Sequence, residues 1–185
     1  MKLTHLQYNQ IRKIINNKNY KLENIKYPYF VETGTYQGET VMEMYSLFKK
    51  IYTVEVSELI YKKTRKKLSY LNNVEFILGD SATLLDKVIS EIPDNTVFWL
   101  DGHWSGGITS KGIYEVPIIK ECKHIDKHYK SSHGIIIIDD FRLFGTTKYE
   151  DWGNISTTNI YECFKTLNIT NNFIVDDRLI ITIEK

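Results

Sequence analysis

The sequence is poor in cysteine, in proline and in long apolar runs, and each shortage removes a class of protein. Only Cys122 and Cys163 are present. Two distant thiols make no disulfide framework, and they suit a reducing, cytoplasmic setting. Three prolines in 185 residues leave few places for the chain to break into linkers. No segment approaches the ~20 consecutive apolar residues of a membrane-spanning helix. The opening MKLTHLQYNQIRKII lacks the apolar stretch and small-residue cleavage site of a secretion signal. An excess of one charge is missing too. With 24 Lys and Arg against 23 Asp and Glu, the formal net charge is +1. The overall field therefore argues against a nucleic acid as partner.

What is present is the composition of a folded globule, 42% hydrophobic and 25% charged. The length suits one domain, able to bury roughly 70% of its unfolded-chain surface without staples. Short apolar runs alternate with amphipathic stretches. Strands are expected at 29–33, 51–56, 74–78, 96–101, 134–139, 172–175 and 179–184. Helices are expected near 38–50, 58–71, 81–91, 114–130 and 156–168. Runs such as VFWL and GIIIIDD are apolar on both faces, as buried parallel strands are. Alternating β and α elements predict a Rossmann-like doubly wound α/β sheet of about seven strands. The last two runs are separated only by Asp176-Asp177. A parallel crossover needs a dozen residues, so these two must form an antiparallel hairpin. Residues 1–27, with a helix-like segment at 6–15, read as a cap or lid, and 28–185 as the main domain.

In such sheets ligands bind beyond the carboxyl ends of the strands, where strand order reverses. The segment Phe30-Val31-Glu32-Thr33-Gly34-Thr35-Tyr36-Gln37-Gly38-Glu39-Thr40 runs strand, turn, helix. Its glycines follow G-x-x-x-G, whereas dinucleotide binders use G-x-G-x-x-G to admit a pyrophosphate. The turn therefore suits a ligand without one, or no ligand at all. Glu32 places an acid at the strand end, suited to an ammonium group. Glu55, followed by Val56 and Ser57, lies 21 positions after Gly34 at the tip of the second strand. An acid so placed accepts ribose hydroxyls; a helix-capping acid is the alternative. Gly79-Asp80-Ser81 follows the third strand, where an Asp meets an adenine amino group or simply caps the next helix.

Together VETGTYQGET, YTVEVS, ILGDSATLL, VFWLDGH and GIIIIDDF resemble the successive motifs of class I S-adenosylmethionine-dependent methyltransferases. More narrowly, the chain is similar to the metal-dependent, macrocin O-methyltransferase-like group acting on sugars and small molecules. The match spans about residues 28–145. Tyr36 departs from the broader pattern, standing where many members have a second glycine. The resemblance implies S-adenosylmethionine as cofactor, held by Glu32, Thr33, Gly34, Thr35, Gly38, Thr40, Glu55, Val56, Ser57, Gly79, Asp80, Ser81 and Asp101.

Asp101 ends the fourth strand and Asp139-Asp140 the fifth. Neighbouring strands lie ~4.8 Å apart, so three carboxylates would crowd and repel unless a cation compensates them. All-oxygen ligands favour a hard ion, Mg²⁺ first, then Mn²⁺ or Ca²⁺. In the resembled group such a trio binds a metal that holds the acceptor hydroxyl. The alternative is that Asp101 contacts cofactor and the pair caps a turn. His103 has the ordinary imidazole titration range of a general base. Trp104 and its glycine-containing loop to Thr109, Arg142 as an anion partner, and Trp152 as a stacking ring are candidate acceptor contacts.

The expected activity is metal-assisted O-methylation of a sugar, nucleotide-sugar or glycan hydroxyl. The alternatives are a metal-independent N- or RNA methyltransferase, a nicotinamide-dependent oxidoreductase, and a binding module without catalysis. The basic run Lys62, Lys63, Arg65, Lys66 and Lys67 is the sole support for RNA, and such runs are mostly solvated faces. His124 and His128 share a helix face, but no third metal ligand lies near them in sequence. A homo-oligomer is left open.

Overall fold

The continuous apolar runs become the inner strands of one sheet. The computed structural model describes residues 26–185 apart from 108 and 149, so the expected cap helix at 6–15 lies outside the described residues. The elements in chain order are β1 (Tyr29–Thr33), α1 (Glu39–Met44), β2 (Lys50–Glu55), α2 (Glu58–Lys67), β3 (Val74–Leu78) and α3 (Ser81–Ser90). There follow β4 (Thr96–Leu100), α4 (Ile118–His128), β5 (His133–Ile138), α5 (Thr157–Tyr161), β6 (Asn168–Val175) and β7 (Arg178–Glu184). The strand order is β3-β2-β1-β4-β5-β7-β6. The first five strands run parallel. β7 pairs antiparallel with both β5 and β6. Order reverses between β1 and β4, and that is where the cavity described below opens.

Alternation along each strand fills both faces of the sheet. In β4, Phe98 and Leu100 join Val31, Val54, Leu85 and Ile125 on one side. Val97 and Trp99 join Phe30, Met44, Ile51 and Ile180 on the other. Each such burial contributes about 1.5–3 kcal/mol relative to an exposed side chain, so the layers hold without disulfides. β6 alternates exposed and half-buried along its whole length, as an edge strand does. Asp176 and Asp177 take φ values of 47° and 66°. Two consecutive left-handed residues make the tight turn that a two-residue hairpin favours.

Four expected helices are shorter than their apolar pattern, α2 among them, which ends at Lys67 and not 71. α1 stops at Met44 because Lys50 already begins β2. α4 starts at Ile118, not 114, because Pro117 sits at its N-cap. Proline disfavours helical geometry in the residue before it. α5 ends at Tyr161, and the chain then turns toward the sheet edge. Asp126, 7% exposed at the end of α4, governs that turn. Its Oδ1 accepts backbone N–H groups of Lys165, Thr166 and Leu167 at 2.9–3.0 Å. Burial would raise its pKa, but these donors outweigh it and hold the carboxyl below the usual range. Asp126→Ala strands three amides, so we expect a loss of about 2–4 kcal/mol in urea unfolding, with a smaller loss for Asp126→Asn. Equal stabilities for wild type and Asp126→Ala would contradict that.

Candidate active site

A cavity of about 700 Å³ lies at the carboxyl ends of the parallel strands. That is within the usual size range for cofactor sites. Gly34, Thr35, Thr40, Glu55, Val56, Gly79, Asp80, Ser81, Asp101, His103, Asp139, Asp140 and Arg142 all line it. One wall is the turn after β1. Gly34 has φ +84°, and a Cβ there would lie 2.3 Å from the carbonyl oxygen of Asp101. The bare glycine thus lets the β1 and β4 tips close on each other. Tyr36, in the position where the resembled methyltransferases often carry glycine, accepts a left-handed φ of 45°.

Glu55 anchors the second wall. One carboxylate oxygen accepts the Tyr36 N–H at 2.9 Å and the other the Ser57 N–H at 2.8 Å. Each oxygen keeps a lone pair for a ligand hydroxyl. Asp80 does two tasks. Oδ1 caps α3 through the Ala82 N–H at 2.9 Å, and Oδ2 accepts the Ile113 N–H at 2.6 Å, fastening the loop that borders the cavity.

At the opposite end the acids are matched by cations. His103 Nε2 lies 2.9 Å from Asp140 Oδ2 and 3.5 Å from Asp101 Oδ1. Burial alone would lower the His103 pKa, but the bonds and charges of Asp101 and Asp140 outweigh it and raise the pKa to about 10. Arg178 Nε lies 3.2 Å from Asp139 Oδ1, with its guanidinium 5.3 Å from the Trp99 ring centre. Burial and the Asp101 charge raise the Asp139 pKa, and Arg178 pulls it back. Arg142 Nη1 bridges Asp140 and Asp177.

The structure places several of the expected residues away from their expected roles. The carboxylates of Asp101 and Asp140 favour the protonated form of His103, which is at odds with its expected role as a neutral base. Glu32 is 1% exposed and off the cavity wall. Thr53 Oγ1 donates to it at 2.5 Å. Burial raises its pKa to about 8, so it meets an ammonium neither sterically nor as an anion. Thr33, Gly38 and Ser57 also lie off the wall. Gly38 serves packing, since a Cβ there would lie 2.4 Å from Leu68 Cδ1. Trp104 is not on the wall either. Trp152 is 1% exposed, too buried to offer a face for stacking; its ring backs His103 edge-on at 5.1 Å. Arg142 lines the cavity, but its charge is already engaged by two carboxylates. The three aspartates do not converge as a set, because Asp139 is turned to Arg178. Asp101, His103 and Asp140 do, with one ligand atom each within 4.8 Å of the others.

The sequence reading missed Arg178, Glu39 and Glu121. Arg178 sits at the head of a buried strand, and a lone cation in such a run was the available signal. Glu39 lies inside the first quoted motif and lines the cavity in the first turn of α1. Glu121 is fully buried beneath Gly102. Burial raises its pKa to about 7 against the lowering pull of the Ser81 and Thr33 hydroxyls. On a helix it looks like any amphipathic glutamate.

No protein-family model matches the sequence, and no curated protein matches it. Solved structures do resemble the fold. One is a candidate rRNA methylase from Clostridium thermocellum, 17% identical with TM-score 0.61, covering 96% of each chain. Another is a candidate caffeoyl-CoA O-methyltransferase from Staphylococcus aureus, 18% identical with TM-score 0.58, covering 99% of this chain and 85% of that one. A third is a candidate methyltransferase from Streptococcus mutans in complex with SAH, 21% identical with TM-score 0.54, covering 94% of this chain and 98% of that one. With its β3-β2-β1-β4-β5-β7-β6 sheet and terminal antiparallel hairpin, the chain has the Rossmann-like fold of these methyltransferase structures.

Proposed function

We propose that the chain transfers a methyl group from S-adenosylmethionine to a hydroxyl of a small molecule, a sugar or nucleotide-sugar first. The carrying observation is that a single cavity is lined by Glu55 at the tip of β2 and by the Asp101–His103–Asp140 cluster beyond the tips of β4 and β5, two and three strands away. Glu55 suits the ribose hydroxyls, and Asp80 and Ser81 border the space for the adenine. Glu39 is the cavity-lining acid for the methionine ammonium. The fold likeness to a structure in complex with SAH supports the same cofactor.

In this reading the acceptor oxygen attacks the methyl carbon as the carbon–sulfur bond breaks. The sulfonium becomes a thioether, and the hydroxyl proton passes to the Asp101 carboxylate. His103 holds Asp101 and Asp140 in place as a charged donor, and the protein's work is positioning. With His103 charged, the carboxylates of Asp101 and Asp140 are the oxygen donors left for a hard divalent ion, Mg²⁺ or Mn²⁺. Such an ion would act as a Lewis acid, lowering the pKa of the acceptor hydroxyl.

Calorimetric titration of the chain with S-adenosylmethionine tests the cofactor, with NAD as the contrast. Only the former should bind. Because Glu55 also holds two backbone amides, Glu55→Gln is a cleaner variant than alanine. Its affinity should fall roughly 10–100-fold. Unaltered affinity would move the ribose elsewhere, and binding of NAD alone would overturn the proposal. The second reading, methylation of RNA or of nitrogen without metal, draws on the rRNA methylase likeness and on α2. There, Lys62 pairs with Glu58 and Lys67 with the Gln37 carbonyl. Activity on RNA that persists in chelator would favour it.

A further inference from the structure

Away from the cavity, three side chains far apart in sequence meet between α3 and α4. Asp86 sits in the middle of α3, and His124 and His128 sit one turn apart near the end of α4. The four-residue spacing puts both imidazoles on one helix face, with ring centres 6.1 Å apart. Asp86, His124 and His128 each offer a ligand atom, and these atoms lie within 4.8 Å of one another. All three residues are half-buried, while their helix neighbours Leu85 and Ile125 are fully buried in the core. The backbone beneath the cluster is therefore fixed, and an ion can still reach it.

His124 also has a backbone partner. Its Nε2 lies 2.9 Å from the Ala82 carbonyl oxygen. A carbonyl only accepts, so Nε2 carries the proton and Nδ1 is the ring nitrogen left with a lone pair for a metal. Metal-binding histidines are commonly held this way by a backbone carbonyl.

We propose that Asp86, His124 and His128 bind a divalent transition metal, zinc first, which clips α3 to α4. Two imidazoles and one carboxylate suit zinc rather than magnesium or calcium, and three protein ligands leave a fourth position for water. None of the three residues lines the cavity, so this site is separate from the Asp101–His103–Asp140 cluster. It nonetheless bears on the cavity. Ser81 at the head of α3 and Pro117 at the head of α4 are both on its wall, so the clip would fix the spacing of two wall elements.

The test uses the full chain, stripped with chelator and titrated with Zn²⁺, with Co²⁺ as the optical probe. Asp101→Asn combined with Asp140→Asn removes the cavity cluster and should leave this site's zinc binding and its tetrahedral Co²⁺ absorption in place. His128→Asn should weaken it by more than the roughly 10–100-fold cost of losing a supporting partner. It should also abolish a zinc-dependent rise in Tm of roughly 5–10 °C at hundredfold excess over Kd. If circular dichroism shows His128→Asn misfolded, Asp86→Asn carries the same expectation. Failure of the wild type to take up zinc overturns the proposal. So does binding that survives His128→Asn or Asp86→Asn but disappears with the Asp101 and Asp140 substitutions.

Discussion

Stability of the wild-type chain should fall as pH rises from about 5 to about 9, and Glu32→Gln should remove much of that fall. The Glu32 carboxyl has an ordinary pKa of 4.5 when unfolded and about 8 when folded. Burial is the leading cause, and the neighbouring Asp101 and Glu55 charges add to it, against the Thr53 and Thr40 hydroxyls. Between those two values the folded state holds a proton that the unfolded state has released. Each such proton costs about 1.4 kcal/mol of stability per pH unit as pH rises. Glu121, raised from 4.5 to about 7, has the same sign. His103, raised from 6.5 to about 10, contributes stability that is complete below 6.5 and lost as pH climbs through 10. All three therefore tilt the profile the same way. Glutamine keeps the shape of a protonated Glu32 without the titration. The stability of Glu32→Gln relative to wild type should therefore grow by several kcal/mol across that window, as read from urea midpoints at its two ends. Parallel profiles for the two proteins would mean that Glu32 is ionised in the folded state.

Gly34→Ala should cost about 2–5 kcal/mol and abolish cofactor binding together with turnover. Two separate penalties add. A left-handed φ of +84° is strained for any L side chain, and the new Cβ would lie 2.3 Å from the Asp101 carbonyl oxygen. Backbone cannot swing aside as a flexible side chain can, so the β1 and β4 tips must part. Asp101 would then move away from His103. Gly107→Ala separates the two penalties. It has φ +62° with nothing within 4 Å of its Cβ, so it should cost only about 1–2 kcal/mol, the strain alone. Equal losses at the two positions would show that the close approach at Gly34 is unimportant.

Much of the fold was legible because strand burial writes itself into the sequence. YFVET and VEFIL were placed to the residue, and Asp176-Asp177 announced the hairpin through its length alone. The polar head of β6, Asn168–Asn171, was missed because an edge strand needs apolar residues on one face only. The cavity wall was legible where it depends on position at a strand tip, as for Glu55, Asp80, Asp101 and Asp140, which all line it. It was illegible where it depends on what faces a side chain across the fold. Nothing near Asp139 in sequence says that Arg178 will neutralise it. Nothing near Trp152 says that it is buried behind His103. The same blindness hid Asp86 from His124 and His128, whose meeting depends on how α3 packs against α4.

The position of β7 between β5 and β6 bears on how the protein is made. While the ribosome is still synthesising the hairpin, β5 must wait with an open edge of unpaired amides and carbonyls, a state prone to wrong pairing. Arg178 arrives on the strand that closes this edge. Until then Asp139 lacks its counter-ion, whereas Asp140 can already meet His103 and Arg142. Assembly of the Asp139 end of the cavity is thereby tied to completion of the sheet.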